Sequence, residues 1–352
     1  MASTIQHRKQ FYPVSATLQD YLVVQARLVH LPLAYADLMR HEGLMPHHDA
    51  DGRPSLWYSV LFGPAERDAL FEKLVTTYQL LIADGRPIEH LRVASIDLCP
   101  YGNSQPFRVK IVNQLNENHD YFYIKRTDAN RVYGLELEHL LSPNRLSFLT
   151  HGDTLVEEHV AGIPGDIYIR DWLGRRRELK PIRVAKELVK FNERCFVRLL
   201  GDMRSYNFVF VVTPDFEEAQ LRIRAMDFDQ QSHDGRKNFY LPQFFKDNLQ
   251  LVQFCTRHLR PETASQYRRE EHTLMLQRAA LASERLGRLL HRMAEDPISP
   301  PDKVHRLRAA LAEHYQRGEY LRCESMGALI RENLESIRRT IGRPPVPELL
   351  PD

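Results

Sequence analysis

The chain has 352 residues, long enough to bury a sizeable core spread over two or three structural units. Its 43% hydrophobic and 27% charged content is that of an ordinary soluble globular protein. With 48 Lys+Arg against 46 Asp+Glu the formal net charge is +2, so overall charge gives no case for a nucleic-acid or anionic-membrane partner.

Cys99, Cys195, Cys255 and Cys323 lie far apart and form no CxxC pair, which argues against a structural zinc site and against a disulfide framework. The first ten residues lack the apolar run of a signal peptide, and no apolar stretch approaches the roughly 20 residues that cross a bilayer. A soluble, cytoplasmic protein is expected. The basic run Arg175-Arg176-Arg177-Glu178-Leu179-Lys180 reads as a solvated face that would also attract a phosphorylated ligand.

Residues 1–88 predict an N-terminal helical extension. Leu18, Leu22, Val23 and Leu28 fall at roughly helical spacing, as do Leu70, Leu74, Tyr78 and Leu81 in a second helix over 65–83. Between them, residues 46–54 read as a loop from their Pro, Asp and Gly content. Its His47-His48-Asp49-Ala50-Asp51-Gly52 lacks the closing Glu of a calcium loop, so loop polarity explains it better than a metal.

Residues 89–160 change texture. Three runs, 92–98, 107–112 and 121–125, alternate as antiparallel strands separated by turns, and a helix is expected over 129–141. Residues 161–352 return to helix, with a strand-rich insert near 206–229. Leu274, Leu281, Leu286, Leu289, Leu290 and Met293 predict one apolar stripe, and Ser299-Pro300-Pro301-Asp302 resembles a capping box. The tail from Arg343 to Asp352 is Pro-rich and expected to be extended.

The chemistry concentrates in two strand ends. Phe196 to Val212 reads Phe-Val-Arg-Leu-Leu-Gly-Asp-Met-Arg-Ser-Tyr-Asn-Phe-Val-Phe-Val-Val, with Asp202 and Asn207 five positions apart and Asn207 opening an apolar strand. A second strand then ends in Asp227-Phe228-Asp229. Phosphoryl transfer needs such a set: a carboxylate to accept the proton of the incoming hydroxyl, and hard oxygen ligands for magnesium. Asp202 is the candidate base, Asn207 and Asp227 are candidate metal ligands, and Asp229, two positions on along an extended segment and so on the same side, is a secondary candidate, a further metal ligand or simply a cap. Arg204 sits inside the loop, where it would neutralise a phosphoryl group or pair with a surface carboxylate.

This arrangement resembles the catalytic loop and metal-binding motif of the protein-kinase-like superfamily. It is closest in style to the aminoglycoside-phosphotransferase-like and choline-kinase-like enzymes, where Gly-Asp-x-x-x-x-Asn is common. The resemblance covers about residues 90–232. It implies an α+β, bilobal fold with a small antiparallel lobe (89–160), a larger helical lobe (161–352) and the helical extension (1–88). It implies ATP and Mg2+ as cofactors and a hydroxylated acceptor, small molecule or protein, with no nucleic acid and no membrane.

The same resemblance gives Lys125 to the α- and β-phosphates of ATP. It puts an orienting glutamate on the helix that follows; Glu136 and Glu138 face different ways there, and Glu138 is taken as the partner. The backbone between Glu158 and Val160 would read adenine. The sequence departs from the pattern in three places: only Tyr101-Gly102-Asn103-Ser104 stands where a Gly-rich loop would be, Leu200 replaces a His before Gly201, and Asp-Phe-Asp replaces Asp-Phe-Gly. Two competing readings are a catalytically silent kinase-like binding module and a helical scaffold protein with a coincidental acidic cluster.

Overall fold

The computed structural model describes residues 9–48, 52, 54–175, 179–215 and 219–341. The Pro-rich tail, most of the basic run after Arg175 and the Asp49–Asp51 part of the histidine-rich segment lie outside the described residues. The chain is mixed α/β and divides into two compact units, Met1–Ala129 with Leu146–His159, and Asn130–Arg145 with Val160–Asp352.

The first unit is built on a seven-stranded antiparallel sheet. Its strands are β1 (Gly43–His48), β2 (Pro54–Leu61), β3 (Leu91–Leu98), β4 (Phe107–Asn113), β5 (His119–Arg126), β6 (Phe148–His151) and β7 (Thr154–Glu158), in the order β1-β2-β3-β4-β5-β7-β6. Strand β4 shows why these residues form a sheet. Phe107, Val109 and Ile111 are buried while Arg108 and Lys110 are only half-buried, the period of two that sends successive side chains to opposite faces.

Helices α1 (Ala16–Val24), α2 (Tyr35–Leu38) and α3 (Pro64–Ala83) complete the unit. On α3, Leu70, Leu74, Tyr78 and Leu81 recur every three or four residues and join one buried cluster with Val93, Ile96, Val109, Phe122 and Ile124. Burying each such side chain contributes about 1.5–3 kcal/mol. Pro64 opens α3 at its first position, where a missing N–H costs nothing.

The region expected to be helical through residue 88 therefore also supplies two strands, because Tyr58 and Ser59 of β2 pair with Leu98 and Asp97 of β3. The run Leu56-Trp57-Tyr58-Ser59-Val60 is aromatic and β-branched, a strand composition masked by its proline-rich surroundings. His47, on β1, meets Ser59 at 2.6 Å and Asp97 at 3.1 Å.

The second unit holds α4 (Ala129–Leu141) apart from its first residue, a three-stranded sheet of β8 (Ile163–Pro164), β9 (Phe208–Thr213) and β10 (Gln220–Ala225), and the helices α5 (Gly165–Ile167), α6 (Pro181–Arg198), α7 (Leu249–His258), α8 (Pro261–Leu281), α9 (Ser283–Glu295), α10 (Pro301–Tyr315) and α11 (Met326–Ile341). The expected single stripe from Leu274 to Met293 is broken at Ala282. Leu281 is 90% exposed, whereas Leu286, Leu289, Leu290 and Met293 on α9 are buried. Ser299 does not cap α10; its hydroxyl donates to the His233 carbonyl at 2.9 Å, and Pro301 starts the helix.

Candidate active site

A hairpin gathers the acidic residues. Strands β9 and β10 pair from Phe208 opposite Ala225 to Thr213 opposite Gln220. Asn207 immediately precedes the first strand, and Asp227 follows the second by two residues. The Met226 N–H donates to the Asn207 carbonyl at 3.0 Å, so the register itself holds these two segments side by side.

The loop before Asn207 is held from several directions. Leu199 ends α6 in the left-handed region at φ +56°, and the fully buried Leu200 bridges to Gln231. The Gly201 N–H donates to the Gln230 carbonyl at 3.3 Å and the Asp202 N–H to the Phe239 carbonyl at 3.2 Å. A Cβ on Gly201 would stand 2.5 Å from the Phe239 ring, so glycine is required there by close approach. Asp202 itself has φ +59°, a conformation that Asp tolerates better than most residues. The Asn248 side chain fixes the Met203 carbonyl at 2.8 Å. Main-chain carbonyls from the segment after Asp229 thus support the loop that follows Leu200.

Within this frame the side chains converge. Asn207 Nδ2 donates to the Asp202 carbonyl at 2.7 Å and lies 3.4 Å from Asp202 Oδ2. With the amide nitrogen committed to that carbonyl, the Asn207 oxygen is the atom left to act as a ligand. Arg204 Nε donates to Asp202 Oδ1 at 2.9 Å and its other arm reaches Asp247 at 3.2 Å. Burial raises the Asp202 carboxyl above its ordinary range; the Arg204 hydrogen bond and charge oppose this, and the charges of Asp227 and Asp247 add to it.

Sequence reasoning missed Arg131. This residue lies in the first turn of α4 with 2% of its side chain exposed, and it clamps both carboxylates of the Asp-Phe-Asp motif. Its terminal nitrogen is 2.6 Å from Asp227 Oδ1 and from Asp229 Oδ1, and Nε donates to Asp229 Oδ1 at 2.8 Å. The Asp229 N–H adds a bond to Asp227 Oδ1 at 3.1 Å. The only signal in the sequence was a lone cation amid Asn130, Val132 and Tyr133 on a helix whose other positions are mostly apolar.

Lys125 and Glu138, expected to pair, belong to different units, and each makes an ion pair inside its own. Lys125 on β5 is buried against Glu157 of β7 at 2.6 Å. Lys125 faces Leu155 in the β5–β7 register, so Glu157 is its diagonal neighbour across the strands, a reach that helix spacing does not reveal. Glu138 is buried against Arg198, and Glu136 against Arg285 at 2.7 Å. Both glutamates thereby tie α4 to the helices of the second unit. Glu158 is the last residue of β7, opposite Phe122, and Val160 is the buried residue with which the chain re-enters the second unit. In the Tyr101–Ser104 turn, the Gly102 N–H donates to the Cys99 carbonyl and the Gly102 carbonyl accepts from the Gln105 N–H, so one of the turn's donors and one of its acceptors are used locally.

Among the described residues no group of three His, Cys, Asp or Glu side chains is placed to hold a metal ion. The set of Asn207, Asp227 and Asp229 is nonetheless all-oxygen, which suits magnesium with several retained waters. A carboxylate offers about four lone-pair positions, and the side chain of Asp227 is 32% exposed.

No family model and no curated protein matches the chain. Among solved structures, the pseudokinase PAN3 of Neurospora crassa aligns with 80% of this chain and 72% of its own, at 11% identity and a TM-score of 0.19. A score that low does not establish a common fold, and the functional reading rests on the side chains above.

Proposed function

We propose that this protein is an ATP- and magnesium-dependent phosphotransferase that moves the γ-phosphate of ATP to a hydroxyl acceptor. The observation that carries the reading is the meeting, within one unit, of the Asp202 loop with Asn207 and the Asp227 strand end. Asp202 is the proposed base: burial lifts its proton affinity toward the working range of a general base. Asn207 and Asp227, with Asp229 beside them, would hold magnesium, which when bound neutralises phosphate charge. Arg204 bridges Asp202 and Asp247 and keeps the base oriented. Assignment of Lys125 to the ATP phosphates, of Glu158 to Val160 to adenine, and of a bilobal architecture comes from the sequence resemblance alone.

Arg131 favours a second reading, a catalytically silent nucleotide-binding module. A buried guanidinium on Asp227 and Asp229 supplies permanently the positive charge that magnesium would otherwise bring. One experiment separates the two: ATP turnover with magnesium for wild type, Asp202→Ala and Asp227→Ala. The phosphotransferase reading expects turnover in wild type alone. Equal turnover in all three proteins would remove the site assignment, and a wild type that gains thermal stability from ATP without turning it over would establish the silent module.

A further inference from the structure

We infer that the acceptor is a hydroxylated small molecule carrying a phosphate or carboxylate, and that it docks in a basic cleft beside Asp202. The inference rests on the phosphotransfer reading above and gives that reading its substrate class.

Two adjoining cavities of about 320 Å³ and 500 Å³ open in the second unit. They share Ile169, Arg170, Arg175 and Gln250 on their walls, with Lys246 on the larger and Arg257 on the smaller. Four cationic side chains thus face two carboxylates, Asp166 and Asp247, in a chain whose overall charge is close to neutral. Cavities of this size take a metabolite rather than a folded partner. Three arginines suit planar, bidentate recognition of phosphate or carboxylate, to which a lysine adds a point charge.

The cleft also touches the chemistry. Ser205 and Asp247 line the larger cavity; Ser205 lies three residues past Asp202 on the same loop, and Asp247 takes the second arm of the arginine that holds Asp202. An anionic group drawn to the arginine walls would leave the rest of the ligand next to the proposed base. The bland alternative is that Arg257 only complements the C-terminal turn of α7 and Arg170 only pairs with its neighbour Asp171, at 2.8 Å. Neither role explains why cations from α7, from the turn before it and from the segment after α5 border one cleft.

The test uses the full chain without nucleotide. Inorganic phosphate and malonate are titrated at constant ionic strength, and melting is followed for wild type and for Arg175→Ala/Arg257→Ala. Both substitutions are at the surface, and the melting temperature without ligand reports whether the variant folds. The expected result is saturable stabilisation of wild type, with the apparent Kd raised at least about tenfold in the double variant. A stronger response to phosphate than to malonate would select the phosphorylated class, and the reverse the carboxylated one. Absence of saturable stabilisation in wild type, or an unchanged response in the double variant, overturns the cleft. A wild type that binds phosphate there but shows no stabilisation by magnesium-ATP keeps the anion site and sinks the phosphotransfer reading.

Discussion

The two ends of the acidic cluster are built differently. At the loop end, Asp202 is held by Arg204, whose side chain is 41% exposed and which divides its donors between two carboxylates. At the strand end, Asp227 and Asp229 share Arg131, which is 2% exposed. An exposed pair contributes about 0–1 kcal/mol and rearranges readily. A buried pair is fixed, because removing either partner leaves a charge with nothing to solvate it. The loop end is therefore the adjustable half of the site and the strand end its rigid frame. Substituting the Asp202 side chain at the first should change chemistry, and substituting Arg131 at the second should change folding.

The largest expected effect is on turnover. Asp202→Asn, which keeps a side chain suited to the left-handed backbone there, should lower it by about 10²- to 10⁴-fold, the usual contribution of a positioned general base, with little change in melting temperature. Loss of stability with turnover intact would reverse the comparison. At the strand end, Arg131→Met should cost about 3 kcal/mol, read as a lower denaturation midpoint. If magnesium belongs on Asp227, millimolar magnesium should restore part of that loss, since an ion bound only by the folded state stabilises it. A variant as unstable with magnesium as without it would favour the silent module. Gly201→Ala comes next: the 2.5 Å approach to the Phe239 ring should cost about 1–3 kcal/mol, and turnover should fall as the Asp202 main chain shifts.

The acidic residues of both ends were legible in the sequence, and the buried arginine that frames the strand end was not. Asp202, Asn207 and Asp227 could be grouped because two apolar strands and a polar turn predict a hairpin, and a hairpin fixes which residues meet at its open end. Strands β3, β4 and β5 were legible for the same local reason, their period of two. The partners of the charged groups were not. Arg131 lies 96 residues before Asp227, and Glu138 lies 60 before Arg198. Such pairs depend on how helices pack, which no local spacing encodes. Lys125 illustrates the intermediate case: strand pairing would have offered Glu157, yet analogy pointed to the helix. The break at Ala282 was hidden because Leu274 and Leu281, seven apart, mimic a stripe that would continue into α9 although Leu281 is exposed.

The smallest expected effect is also the most specific to the loop end. As a base Asp202 must be ionised, so activity should fall as pH drops through its pKa, which burial places above the ordinary carboxylate range. Arg204 is the group that lowers this pKa, and Arg204→Gln removes both its hydrogen bond and its charge. The acid limb of the pH–rate profile should then move to higher pH. Asp247→Asn acts in the opposite sense: it deletes a charge that raises the Asp202 pKa and leaves Arg204 to Asp202 alone, so the limb should move to lower pH. The strand end offers the control, because Asp227 also raises the Asp202 pKa, yet its removal should abolish turnover rather than shift the limb. Two loop variants moving the limb in the same direction would show that a group other than Asp202 sets it.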